Sequence, residues 1–177
     1  MEFETRNDVT VPEYMEMIRL KTSVLLSAAL KIGAVLGGAS EDDARKLYDF
    51  GIKMGLAFQL QDDLLDVYGD PEVFGKKIGG DILCNKKTYM LIKALERANG
   101  EQLEELNRWL NAENCQPAEK IAAVTEIYNQ LTIRSVCENK MREYYTLAME
   151  SLAAVAVAED RKKELKNLVK LLMYREM

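Results

Sequence analysis

Apolar residues recur at helical spacing along almost the whole chain. Thr10, Pro12 and Glu13 have the composition of a helix start: a capping hydroxyl, a proline suited to the first turn and a glutamate three residues after the cap. Met17, Leu20, Val24, Ala28 and Ile32 follow three or four residues apart and predict the apolar face of a first long helix, which Gly37-Gly38 ends. Ser40, with Glu41, Asp42 and Asp43 in the first turn, predicts a second start. That helix carries Leu47, Phe50, Met54, Phe58 and Leu65 as far as Gly69-Asp70-Pro71. Residues 69–81 hold Gly69, Pro71, Gly75, Gly79 and Gly80, which predict turns rather than a helix. Helical spacing resumes over about 86–98 and 101–111, again from Pro117, and then over 136–157 and 163–173. There is no alternating strand pattern and no internal repeat. The expected fold class is all-α, a helical bundle of about six helices forming a single domain over residues 1–177.

Composition narrows the function. A chain of 177 residues with 48% hydrophobic and 30% charged residues is long and apolar enough to build a core, which excludes disorder. It has 0 histidines, which removes Ser-His-Asp and Cys-His chemistry and any zinc site built on imidazole. A net charge of -5 speaks against a nucleic-acid partner, because a phosphate-binding surface is normally basic. Cys84, Cys115 and Cys137 are far apart and form no CxxC pair, so neither a disulfide framework nor a zinc ribbon is expected, and a reducing cytoplasm fits. The residues after Met1 are not basic, and no apolar run reaches membrane-spanning length.

The chemistry concentrates in three places. The first is Asp62-Asp63-Leu64-Leu65-Asp66. On a helix Asp62 and Asp66 share a face and Asp63 lies about 100° to one side. Carboxylates four apart near a helix C-terminus repel one another and face the negative end of the dipole. A solvated acidic patch is the plain reading, and a site for a hard cation such as magnesium is the functional one. The bulky Met54–Gln61 approach, on a helix that also carries Gly51 and Gly55 four residues apart, favours the second: each glycine costs about 1 kcal/mol against alanine, offset by close packing or by room for a ligand. The second place is a change of charge. Residues 41–72 hold nine acids against three bases, whereas residues 76–93 hold five lysines against the single acid Asp81. An acidic pole followed by a basic, glycine-bearing loop suits a diphosphate held between magnesium and lysines. The third is Lys21-Thr22, a polar pair in an apolar helix, which by itself reads equally as the polar edge of an amphipathic helix.

Taken in order, Lys21-Thr22, FQLQDDLLD at 58–66, FGKKIGGDI at 74–82 and NKKTYMLIKAL at 85–95 resemble the second half of the trans-isoprenyl diphosphate synthases, the farnesyl, geranylgeranyl and longer-chain polyprenyl enzymes. The resemblance is dense to about residue 98 and thins to a helical pattern beyond it. It implies the isoprenoid synthase bundle, incomplete here, and usually a homodimer. It implies that Asp62, with Asp63 and Asp66 through water, holds Mg2+ on the allylic diphosphate. Lys21, Lys76 (or its neighbour Lys77) and Lys86 would contact that diphosphate, Thr22 and Gln59 would face the developing allylic cation, Phe58 would line the pocket, and Asp81 would support the metal's water network. The implied reaction is ionisation of an allylic diphosphate, attack by isopentenyl diphosphate and proton loss, with no protein nucleophile.

The family carries two aspartate-rich motifs, and only the second is matched. Residues 1–20 contain Glu2, Glu4, Asp8, Glu13 and Glu16 but no DDxxD, and the other Asp-Asp pair, Asp42-Asp43, follows a helix start and lacks a third aspartate. The expectation is a C-terminal half of a prenyl synthase, inactive alone. The alternative is a non-catalytic helical subunit that partners a complete synthase. The nearly complete set of motif residues argues against that alternative, and no Asn/Ser/Glu metal motif of the terpene cyclases is present.

Overall fold

The computed structural model describes residues 6, 8–70, 78–112 and 114–173. Its elements, in chain order, are α1 (Val11–Ile18), a π-helical turn (Arg19–Ser23), α2 (Val24–Leu36), α3 (Glu41–Tyr68), α4 (Gly80–Leu83), α5 (Tyr89–Arg97), α6 (Gly100–Leu110), α7 (Pro117–Gln130), α8 (Ile133–Ala153), a 3-10 turn (Glu159–Lys162) and α9 (Lys163–Met173). The fold is all-α, with no strand among the described residues. The backbone sorts into two compact units, one drawn from Met1–Tyr14 and Asp62–Glu138, the other from Met15–Gln61 and Asn139–Glu176.

The helix starts follow local rules. Glu13 Oε2 accepts from the Thr10 backbone N–H at 2.9 Å, and the Glu13 N–H returns a long contact to Thr10 Oγ1 at 3.5 Å, the reciprocal arrangement of a capping box. Ser40 Oγ accepts from the Asp43 N–H at 3.1 Å, and Thr88 Oγ1 from the Leu91 N–H at 3.2 Å. Hydrogen bonds from Thr10, then Arg6, hold the Glu13 carboxyl down at about 2. A depressed acid stabilises the fold above its ordinary value and loses that contribution as pH falls towards its folded value. Acid titration of stability between pH 4.5 and 2 is therefore expected to be shallower in Glu13→Gln than in wild type. Parallel curves would remove this cap from the account.

In the unit of Met15–Gln61 and Asn139–Glu176, Phe50, Met54 and Ala57 of α3 pack with Ala148 and Leu152 of α8 and Val169 and Met173 of α9. The buried Gln61 donates Nε2–H to the Met173 carbonyl at 3.0 Å, and Lys53 donates to Ser151 Oγ at 2.7 Å. Asp43 receives the Ala156 N–H at 2.9 Å and so anchors the turn after α8, whereas Asp42 pairs with Arg45 and Lys46 on its own helix. The two α3 glycines serve close packing. A Cβ on Gly51 would lie 2.7 Å from the Ser27 Cα, and one on Gly55 would lie 2.7 Å from the Ser23 Cα.

The first long helix differs from its predicted face. The buried positions are Tyr14 and Ile18, then Ser23 and Ser27. The step from Ile18 to Ser23 is five residues and spans the π turn, where the Val24 N–H bonds to the Arg19 carbonyl. Leu20 and Ile32, assigned from spacing to the apolar face, are exposed. Small serines take the buried side because α3 presents glycines to them.

In the unit of Met1–Tyr14 and Asp62–Glu138, α7 touches α4, α5 and α6. Leu106, Val124, Ile127 and Tyr128 are buried on α6 and α7, and Met90, Leu91 and Ala94 on α5. Gly79 sits at φ 82 against α7, where a Cβ would lie 2.6 Å from the Ile121 side chain. Positive φ and lack of space both require glycine there.

Candidate functional site

α3 runs unbroken through Gln59, Asp62, Asp63 and Asp66, close to its C-terminus at Tyr68. The three aspartates have different surroundings. Asp63 is 4% exposed, and its two oxygens are both engaged: Oδ2 accepts a short hydrogen bond from the Tyr14 hydroxyl, and Oδ1 accepts from Lys86 Nζ at 3.1 Å. Burial pushes its carboxyl up to about 6, although Lys86 and Tyr14 pull in the other direction. Asp66 is half-buried, its pKa raised by burial, and its Oδ2 receives the Asp81 N–H at 2.9 Å. Asp62 is partly exposed at the start of the motif.

The segment from Gly79 onward folds back onto this helix end. The Gly79 N–H donates to the Asp66 carbonyl, and Asp81 opens toward Lys86, whose Nζ lies 2.6 Å from Asp81 Oδ2. Lys86 thus bridges Asp63 and Asp81. Burial alone would lower its pKa, but the two carboxylates outweigh that and raise it. Its backbone is held as well. Asn85 adopts φ 50, donates Nδ2–H to the Leu110 carbonyl at 2.8 Å and accepts from Lys120 Nζ at 2.7 Å. The Lys86 N–H returns to the Asp81 carbonyl at 2.9 Å.

The structure therefore brings together four of the residues picked from sequence: Asp63, Asp66, Asp81 and Lys86. Elsewhere it joins two others, Thr22 and Gln59, whose Oγ1 and Oε1 are 3.1 Å apart. Thr22 and Lys21 lie within the π turn, and Lys21 is exposed. Phe58 is half-buried. Lys76 and Lys77 lie outside the described residues. Tyr14 and Lys120 escaped the sequence reading, and Asn85, although it opens the 85–95 motif, was given no role there. Tyr14 carried a faint signal, as a tyrosine one turn ahead of Ile18; the other two act through contacts distant in sequence.

Among the described residues no three Asp, Glu, Cys or His side chains converge closely enough to form a metal cage by themselves. Magnesium does not require one: it is usually bound through one or two carboxylates, with water and substrate phosphates completing the octahedron. Asp62 and the Asp66 Oδ1 suit that role. Asp63, engaged on both oxygens, suits it least.

Residues 1–131 match the model of the polyprenyl synthetase family. The short chain isoprenyl diphosphate synthase of Methanothermobacter thermautotrophicus is 39% identical over 161 residues, 91% of this chain and 49% of the relative. The geranylgeranyl diphosphate synthase of Saccharolobus solfataricus is 32% identical over 99% of this chain and 52% of its own. The chain thus spans about half the length of these curated relatives. Among solved structures, a geranylgeranyl pyrophosphate synthase superposes with a TM-score of 0.91 at 41% identity, covering 99% of this chain and 55% of that one. The Corynebacterium glutamicum geranylgeranyl pyrophosphate synthase, complexed with isoprenyl diphosphate and magnesium, gives 0.88 at 27% identity, over 99% and 50%. No helix among the described residues is long and apolar enough to cross a membrane. By its motifs, its all-α fold and these matches, the chain belongs to the polyprenyl synthetase family.

Proposed function

We propose that this chain is the diphosphate-binding C-terminal half of a prenyl diphosphate synthase, joining an allylic diphosphate to isopentenyl diphosphate when the rest of the bundle is present. The observation that carries the reading is the Asp62–Asp66 helix end braced to Asp81 and Lys86. Acidic oxygens for a cation and an ammonium for a phosphate occur there within one cluster. The magnesium and isoprenyl diphosphate held by the Corynebacterium relative support the choice of ligands.

Each residue has a part in this reading. Asp62 and Asp66 would hold Mg2+, which supplies charge neutralisation to the departing diphosphate. Lys86 donates to that diphosphate, and the family resemblance adds Lys21 and Lys76 or Lys77 to its contacts. Thr22 and Gln59 present oxygen dipoles to developing positive charge, and Phe58 offers an apolar ring beside it. Asp81 orients Lys86 and orders water around the cation. Catalysis is then positioning and charge stabilisation, which needs no histidine or other nucleophile.

An exposed apolar stripe supports the half-bundle part of the proposal. On α2, Leu25 is 78%, Ile32 59% and Leu36 83% exposed, and they lie seven and four residues apart on one side of the helix. Contiguous apolar faces of this kind mark surfaces that other helices cover. A homodimer, the usual family assembly, belongs to the same proposal, and so does a cytoplasmic location.

Calorimetry tests the reading. Pyrophosphate should bind at least tenfold more tightly with magnesium than without it, because phosphate oxygens and carboxylates share the ion. Equal affinity with and without magnesium would overturn the assignment.

A further inference from the structure

Tyr14 has no part in the chemistry described so far, yet its hydroxyl reaches into the carboxylate cluster at Asp63. Its side chain is 1% exposed, and its ring lies 6.4 Å from that of Tyr89, tilted by 47°. Its hydroxyl donates to Asp63 Oδ2, while the other Asp63 oxygen receives Lys86. A carboxylate held by one donor can rotate about its Cβ–Cγ bond; a carboxylate held on both oxygens cannot do so without losing one of them. An ammonium has three N–H donors. Lys86 spends one on Asp63 and one on Asp81, which leaves one for an incoming oxygen on a side chain that is 37% exposed.

We infer that Tyr14 is a positioning residue: by fixing the Asp63 carboxylate it aims the remaining Lys86 N–H at the diphosphate, so that Asp63 serves as an anchor for Lys86 and not as a magnesium ligand. The inference rests on the proposed diphosphate site and assigns a separate task to the middle aspartate of the motif. Asp62 and Asp66 keep oxygens for the cation, and Asp63 faces inward to organise the lysine.

The test uses the whole 177-residue chain. The Lys86 ammonium resonance, assigned by its loss in Lys86→Gln, is followed by nitrogen-detected NMR at low temperature. Magnesium-dependent pyrophosphate affinity is measured in parallel. Wild type should show a slowly exchanging Lys86 ammonium. Tyr14→Phe should remain folded, exchange that ammonium at least fivefold faster and bind pyrophosphate at least fivefold more weakly. Tyr128→Phe, which removes a different buried phenol of the same unit, should change neither. A folded Tyr14→Phe with wild-type exchange and affinity overturns the inference. Should Tyr14→Phe fail to fold, Asp63→Asn takes its place, and an unchanged Lys86 signal there overturns it equally. If the ammonium responds as expected but wild type binds no pyrophosphate, the positioning link stands and the diphosphate reading falls.

Discussion

Asp62→Ala is expected to abolish the tightening of pyrophosphate binding by magnesium while leaving the fold in place. Asp62 is partly exposed at the start of the motif, so its loss empties no buried site. Asp63 and Asp66, by contrast, brace the helix end to Tyr14, Lys86 and the Asp81 backbone. Substituting them should cost stability as well as binding, since a buried donor left without its partner costs about 1–3 kcal/mol. The expected signature is therefore a split. Asp62→Ala loses magnesium coupling at near wild-type melting temperature, whereas Asp63→Ala keeps the coupling but loses stability and, through Lys86, pyrophosphate affinity. Full magnesium coupling in folded Asp62→Ala would refute its assignment as the principal ligand.

Gly55→Ala is expected to destabilise the chain by about 1–3 kcal/mol, the usual range for overpacking, in spite of a helix-propensity gain of about 1 kcal/mol. The new Cβ would lie 2.5 Å from Ser23 Oγ and 2.7 Å from the Ser23 Cα. A side-chain tip can rotate away, but the Ser23 backbone closes the π turn, so relief requires moving that turn. Thr22 precedes Ser23, and its contact with Gln59 should loosen with the shift. Urea denaturation gives the stability change. Stability equal to or above wild type would mean that the glycine is not needed for close approach.

Much of this was legible because it is local. The Thr10–Glu13 box and the Ser40 cap are three-residue relations, and both are found where spacing predicted them. The motif from Asp62 to Asp66 falls on a continuous helix, as its apolar flank implied. The face of the first helix was misread for a physical reason. Val24, Ala28 and Ile32 keep helical period, but the helix contains one five-residue step, and glycines on α3 draw Ser23 and Ser27 inward. No single-helix periodicity carries that information. Nor did spacing separate the roles of neighbouring aspartates. That Asp63 is buried beneath Tyr14 and Lys86 depends on residues 49 and 23 positions away. The short α4 turn was read as loop because glycines surround it, although Asp66 supplies the acceptor that holds its Asp81 N–H.

A condensation assay with isopentenyl and geranyl diphosphates in magnesium tests directly whether this chain works as half of a synthase. It compares this chain alone, the N-terminal half of a full-length relative such as the Methanothermobacter synthase alone, and the two mixed. Prenyl product is expected from the mixture only, because these 177 residues contain a single DDxxD, at 62–66, and leave an apolar α2 face exposed to water. Product from this chain alone would contradict the claim that it is half of a synthase.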